Sequence, residues 1–203
     1  MPITFKEEYL DMTINNDKKI LRKRILKLRD ELDSKYREDS SQKIFNELSK
    51  LKEFKNAETV MTFVSFSTEV DTKLFIEKCW SLGKRIITPL AKMKSKELEI
   101  YEINNWEQLQ PGVYDILEPI PDKKRLVDPI EIDFVINPGV AFDINLNRIG
   151  YGGGFYDRFY HRLSKNCIRV AVGFDTQIVD KVPVDEYDVP VDMLITENRI
   201  IKK

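Results

Sequence analysis

Two rhythms of apolar residues alternate along the chain. In "DKKILRKRILKLRDEL" (Asp17–Leu32), Ile20, Leu21, Ile25, Leu28 and Leu32 recur at helical spacing among Lys and Arg, which predicts an amphipathic helix. "SQKIFNELSKL" (Ser41–Leu51) predicts a second. "TVMTFVSF" (Thr59–Phe66) is β-branched and aromatic and too short for a helix, so it reads as a strand buried on both faces. "DTKLFIEKCWSLG" (Asp71–Gly83) reads as a helix between an Asp or Thr cap and a terminal glycine. "RIITPLA" and "LEIYEI" (Leu98–Ile103) follow as strands, and Asn105–Pro129 is rich in proline and turn formers, an irregular excursion. "DFVINP", "RVAVGFD" and "MLITEN" then read as central strands. Strands alternating with helices predict an α/β fold, a single-domain three-layer sandwich with a mostly parallel central sheet flanked by helices. Residues 1–16 have many charges and no clear period, so they are expected to be a loose extension ahead of one domain over 17–203, with Met12 an alternative start.

Composition narrows the classes. The chain has 203 residues, 42% of them hydrophobic and 33% charged, with a formal net charge of −1. That length suits one domain with a real core, and that charge gives no basic field for nucleic acid. Cys79 and Cys167 stand far apart, forming no disulfide framework or metal pair and reading as small buried hydrophobes. No apolar run approaches membrane-spanning length and the N-terminus has no signal-peptide core. A cytoplasmic protein without membrane or nucleic-acid partners is expected.

The chemistry concentrates in "NPGVAFDINLNRIGYGGGFYDRFYHRL" (Asn137–Leu163), where Gly150, Gly152, Gly153 and Gly154 fall between a strand and an aromatic helix, Phe155–Leu163. In open α/β sheets, ligands bind at the carboxyl ends of strands. Successive glycine amides leave a concave anion site that phosphate oxygens can approach, and Arg148 adds a two-pronged cation. Neither the dinucleotide fingerprint nor a Walker lysine-serine pair is matched, so on spacing alone a flexible turn stays open as the alternative. Phe159 and Leu163 read as core, whereas Phe155 and Tyr156 stand where an aromatic could stack on a flat ring. Asp157 either complements the helix dipole or ligates Mg²⁺ beside phosphates. His161, the single histidine, falls on the polar side of that helix and reads as a surface residue.

These residues carry a resemblance. "PGVAFDINLNRIGYGGGFYDRF" is similar to the signature of the 5-formyltetrahydrofolate cyclo-ligase family, and the likeness extends to "KKILR" (Lys18–Arg22), "STEVDT" (Ser67–Thr72) and "VPVDEYDVPVDMLITE" (Val182–Glu197). It implies an ATP-dependent ligase converting 5-formyltetrahydrofolate to 5,10-methenyltetrahydrofolate, with ATP and Mg²⁺ required, small molecules as the partners, and a monomer. It implies ATP contacts from Lys18, Arg22 and Arg148, from Gly150, Gly152, Gly153 and Gly154, and from Phe155 and Tyr156. Of these, Lys18, Arg148 and Tyr156 are the implied catalytic groups. Val64, Glu69, Tyr151, Gly152, Gly153, Gly154 and Phe155 are implied for the folate, with Glu69 accepting N–H bonds from the pterin's amino-pyrimidine edge. Asp157 and Asp188 are implied for the metal. Lys18 and Arg22, at i and i+4, share a helix face, which otherwise would be an ordinary solvated basic face.

Three departures from the family pattern stand out. Asn147 is where a glycine is usual, Phe155 replaces the first of two tyrosines, and Tyr187 stands where histidine often precedes the aspartate. They leave room for two alternatives. One is a phosphosugar isomerase or CoA-transferase-like enzyme on a related scaffold; the other is a nucleotide- or folate-binding protein without turnover.

Overall fold

The computed structural model describes residues 5–112 and 116–203, with the side chains of all of these but 5–12. Residues 1–4 of the expected extension and 113–115 of the expected excursion lie outside the described residues. The chain runs α1 (Phe5–Asp30), α2 (Ser34–Lys50), α3 (Lys52–Asn56), β1 (Thr59–Thr62), α4 (Lys73–Ser81), β2 (Arg85–Lys92) and β3 (Glu97–Ile103). Then follow β4 (Leu109–Pro111), β5 (Leu117–Pro119), β6 (Phe134–Asn137), β7 (Ala141–Phe142), β8 (Arg148–Ile149), α5 (Phe155–Tyr160), β9 (Ile168–Val172), β10 (Met193–Ile195) and β11 (Ile200–Lys202).

Seven strands form one sheet in the order β11-β10-β9-β6-β1-β2-β3. Strands β1, β2, β6, β9 and β10 are mutually parallel, and the edge strands β3 and β11 pair antiparallel to their neighbours. This is the mostly parallel sheet the sequence predicts. Successive residues of β6 face opposite layers: Phe134 and Ile136 pack with Phe45, Phe54 and Ile76 from α2, α3 and α4, while Val135 packs with Phe159 of α5. Burial on both faces explains why such strands read as unbroken apolar runs.

Several boundaries differ from expectation for local reasons. Helix α2 starts at Ser34 rather than Ser41, because Asp33 caps it by accepting the Lys35 and Tyr36 N–H groups. Strand β1 ends at Thr62 rather than Phe66 because Thr72 captures the following loop, its Oγ1 accepting from Ser65 N and donating to Phe63 O. Helix α5 stops at Tyr160 instead of Leu163. Helix α1 begins at Phe5, so residues 5–16 are helical and continuous with the segment predicted from Asp17.

The buried side of α1 also differs from the predicted apolar face. Ile20 and Leu28 are 60% and 36% exposed, whereas Lys18, Ile25 and Arg29 are buried. At about 100° per residue, positions 18, 22, 25 and 29 form one narrow stripe. The side that α1 turns to the protein thus carries three cations beside Ile25, with Leu21 and Leu26 packing partly against the core next to them.

Going outward from β1, the chain moves to β2 on one side and is met by β6 on the other. The crevice at the carboxyl ends of β1 and β6 is therefore the place where a ligand fits this topology. Both the Phe63–Thr72 loop and the Asn137–Gly154 segment emerge there.

Candidate functional site

The four glycines meet different constraints. Gly152 and Gly154 have φ of +99° and +61°, the left-handed region that side chains avoid. Gly153 does not; a Cβ there would lie 2.4 Å from the Phe155 ring. Gly150 offers its carbonyl to Arg22 Nε at 2.8 Å. Helix α5 spans six residues, so the loop amides rather than a long dipole would supply any anion attraction.

Arg148 does not project into solvent. Its Nε donates to Tyr160 Oη at 3.1 Å and its Nη2 to Asp157 Oδ1 at 3.2 Å, while the guanidinium lies 5.4 Å from the ring centres of both Tyr156 and Tyr160. Tyr160 in turn donates to Asn137 Oδ1 at 2.7 Å, and Asn137 Nδ2 donates to the carbonyls of Val135 and Val170. A polar chain thus ties the loop to the ends of β6 and β9. Burial pushes the Tyr156 and Tyr160 phenols upward, with Arg148 opposing, so both stay protonated.

On α1, Lys18 Nζ donates to Asp185 Oδ2 at 2.7 Å and to Asp188 Oδ2. Burial pulls the Lys18 ammonium down, but the two aspartates outweigh it and hold it above its ordinary value. Arg22 contacts the glycine loop on the same side. Lys18 and Arg22 thus share one face, as their spacing suggested, and that face meets the C-terminal block and the glycines, as the resemblance implied. The neighbouring Lys19, Lys23 and Arg24 are exposed, the ordinary solvated face.

Glu69 sits buried at the β1 end of the crevice. Its Oε1 accepts from Tyr151 Oη at 2.9 Å and its Oε2 from Phe66 N at 3.2 Å. Burial raises the carboxyl to about 7, against the lowering effect of Tyr151, Arg29 and the Phe66 N–H. Phe66 and Tyr151 rings lie 5.3 Å apart. A cavity of about 470 Å³ opens beside Glu69, lined by Phe66, serines of α2 and the β1 loop, Arg37 and Lys73, a size that suits a small organic ligand. Val64 is buried in the main core behind this loop, so its side chain packs more than it presents.

Asp157 and Asp188 are brought close: Asp157 Oδ1 accepts the N–H of Val189, the residue after Asp188, at 3.4 Å. Both are engaged by cations, Arg148 and Lys18. Among the described residues, Asp157 Oδ2 and Asp188 Oδ1 accept no hydrogen bond, so each keeps one free hard oxygen, the donor type Mg²⁺ takes. No group of three or more potential metal ligands occurs among the described residues.

The departures acquire physical readings. Left-handed backbone falls at Leu146 (φ 68°), not at Asn147; the position calling for glycine is therefore 146, which corrects the alignment read from sequence. Leu146 is buried, so its packing offsets the strain. Asn147 closes the turn with its N–H and Nδ2 on the Asp143 carboxylate. Phe155 packs partly against the core beside Phe159, keeping shape without a hydroxyl. Tyr187 is exposed, its backbone N–H held by Asp185. His161 is exposed, and burial pushes both cysteine thiols up to about 12, so neither is a nucleophile.

Arg29, Asp185, Tyr160 and Asn137 belong to this network and escape the sequence pattern. The signal for Arg29 lies in its register with Lys18 and Arg22, at i+11 and i+7. No local pattern marks the others.

Residues 14–197 match the family model described as the 5-formyltetrahydrofolate cyclo-ligase family. The chain is 34% identical over 146 residues to a 5-formyltetrahydrofolate cyclo-ligase of Escherichia coli (strain K12), covering 71% of this chain and 80% of that one. It is 29% identical to the Haemophilus influenzae protein of that name, covering 86% and 95%. The solved structure of Aquifex aeolicus 5,10-methenyltetrahydrofolate synthetase superposes with a TM-score of 0.80 at 32% identity, over 91% of this chain and 92% of that one.

Proposed function

This chain belongs to the 5-formyltetrahydrofolate cyclo-ligase family, and we propose that it converts 5-formyltetrahydrofolate to 5,10-methenyltetrahydrofolate with hydrolysis of ATP to ADP and phosphate. One observation carries the proposal. The glycine loop is held between the α1 cations and a buried carboxylate: Arg22 grips Gly150 O, and the next residue, Tyr151, reaches Glu69. A phosphate-seeking surface and a pterin-seeking carboxylate therefore share five residues of backbone.

The chemistry suits that arrangement. A formamide carbonyl is a poor electrophile and its oxygen a poor leaving group. Phosphoryl transfer from ATP to that oxygen makes an iminium-phosphate, which N10 attacks as phosphate departs. Such transfer asks chiefly for positioning and charge neutralisation. Lys18, Arg22 and the amides of Gly150, Gly152, Gly153 and Gly154 meet the phosphates, and Arg148 stiffens the loop and offers charge next to it. Tyr156, a protonated phenol against Arg148, donates toward the reacting oxygens, while Phe155 and Tyr156 flank the nucleotide. Glu69 orients the pterin, with Tyr151, Gly152, Gly153, Gly154, Phe155 and the Val64 backbone shaping the remaining wall. Asp157 and Asp188, each with an unused carboxylate oxygen, would hold Mg²⁺. When bound, that ion would offset negative charge on the phosphates.

The same reading takes residues 17–203 as a single domain acting as a monomer on small molecules in the cytoplasm, with 1–16 outside its working part. No described helix is long and apolar enough to cross a membrane. An isomerase or CoA-transferase would need a dedicated base or nucleophile and no ATP, and a non-catalytic binder would show no turnover. Incubation with MgATP and 5-formyltetrahydrofolate should give the near-ultraviolet methenyl chromophore, with ADP formed in equal amount. Absence of the chromophore, or its appearance without ATP, would overturn the assignment.

A further inference from the structure

Arg29 is 2% exposed, yet its guanidinium is incompletely paired. Nε donates to Thr68 Oγ1 at 3.1 Å and Nη2 to Tyr151 Oη at 3.0 Å, whereas the buried Nη1 has no partner among the described residues. A buried cation with an idle N–H is a poor way to stabilise a helix contact, since an apolar side chain of similar size would cost less. Its placement points elsewhere. Tyr151 Oη, which accepts from Arg29, donates to Glu69 Oε1. Arg29 and Glu69 also face each other across a small cleft at the strand ends, with Pro138, Gly139 and Gln177.

We propose that Arg29 is a positioning residue for the folate substrate: acting through Tyr151, it favours the ionised form of the buried Glu69 carboxyl and fixes its orientation. The inference rests on the proposed cyclo-ligase activity for its substrate, but not for its electrostatics. Each Glu69 oxygen spends one lone pair on the protein, leaving another for an amino-pyrimidine edge. Burial alone would neutralise the carboxyl; a cation and a hydroxyl donor oppose that. The other charged groups around the adjoining cavity are Arg37 and Glu38 of α2, and Asp71 and Lys73 at the start of α4. Asp71 is held by the Lys73 N–H and Ser65, and Glu38 pairs with Lys35, so beside the Phe66 N–H the groups that act on Glu69 are Tyr151 and, through it, Arg29.

Carbon-13 NMR of protein labelled at glutamate side-chain carboxyls reads the Glu69 midpoint, assigned by its loss in Glu69→Gln. Arg29→Met should raise that midpoint by about one pH unit, the lower end of the usual effect of a nearby opposite charge, and Arg29→Lys should restore it in part. Tyr151→Phe, which removes only the hydroxyl that links Arg29 to Glu69, should raise it too and decides the matter if Arg29→Met does not fold. In turnover, KM for 5-formyltetrahydrofolate should rise about fivefold at neutral pH and approach about tenfold at lower pH, the full factor one pKa unit represents, with KM for ATP little changed. The acid limb of the kcat/KM profile should shift to higher pH. An unshifted Glu69 midpoint in the folded variants overturns the inference. Absence of methenyl product from the unmodified chain would instead sink the proposed activity and leave the midpoint as the deciding result.

Discussion

Arg148 and Asp157 are partners of each other: Nη2 meets Oδ1 at 3.2 Å, with side chains 4% and 19% exposed. The cation proposed for phosphate and the carboxylate proposed for the metal thus hold each other through Asp157 Oδ1, so truncating either should cost stability as well as function.

Arg148→Ala should accordingly raise KM for ATP far more than that for the folate and also lower thermal stability. Breaking a fully buried pair costs roughly 3–5 kcal/mol, less here because Asp157 is partly hydrated. Steady-state kinetics beside calorimetry checks this. Unchanged ATP kinetics would confine Arg148 to structure.

For the metal, Asp188→Asn is a cleaner probe than Asp157→Asn, because Asp185 remains to pair with Lys18. The Mg²⁺ concentration for half-maximal rate should rise about tenfold, or roughly 1.4 kcal/mol, at nearly constant melting temperature. A normal Mg²⁺ dependence would remove Asp188 from the metal site. Asp157→Asn should raise the requirement too, with a stability loss from stranding Arg148.

The glycines separate by mechanism. Gly152→Ala places a side chain at φ +99°, so strain should appear whatever its surroundings. Gly153→Ala meets the Phe155 ring instead, and a smaller residue at 155 should relieve it. A double-mutant cycle of Gly153→Ala with Phe155→Leu, read by ATP binding, should show coupling. Additive effects would mean the ring is not what excludes a side chain at 153.

Glu69 links pH to stability. Its carboxyl lies at about 7 in the folded chain, above the ordinary 4.5. Its stabilising contribution is therefore complete below pH 4.5 and is lost as pH rises through 7, up to about 3 kcal/mol in all. The melting temperature of Glu69→Gln relative to the unmodified chain should improve between pH 5 and pH 8. A constant offset over that range would mean that Glu69 titrates normally.

Sequence alone determined what depends on local chemistry. Apolar runs too short for helices marked β1, β6, β9 and β10, because strands buried on both faces need no alternation. The glycine loop and Arg148 were legible as a candidate anion site, while a shared role with Asp157 came only from the family resemblance, because charge and backbone freedom alone also fit a turn and a helix start. Lys18 and Arg22 shared a face by spacing. Tertiary structure decided which face of α1 is inside: Lys18, Arg22, Ile25 and Arg29 turn inward while Ile20 and Leu28 turn outward, because carboxylates, a carbonyl and a phenol from distant segments pair with the cations. It also decided that Leu146 rather than Asn147 takes the left-handed turn, as the β7–β8 hairpin and the Asp143 carboxylate fix that register. Arg29, Tyr160 and Asn137 join the candidate site's network through partners twelve or more positions away. Such pairings exist in no local pattern, because long-range burial and hydrogen bonding create them.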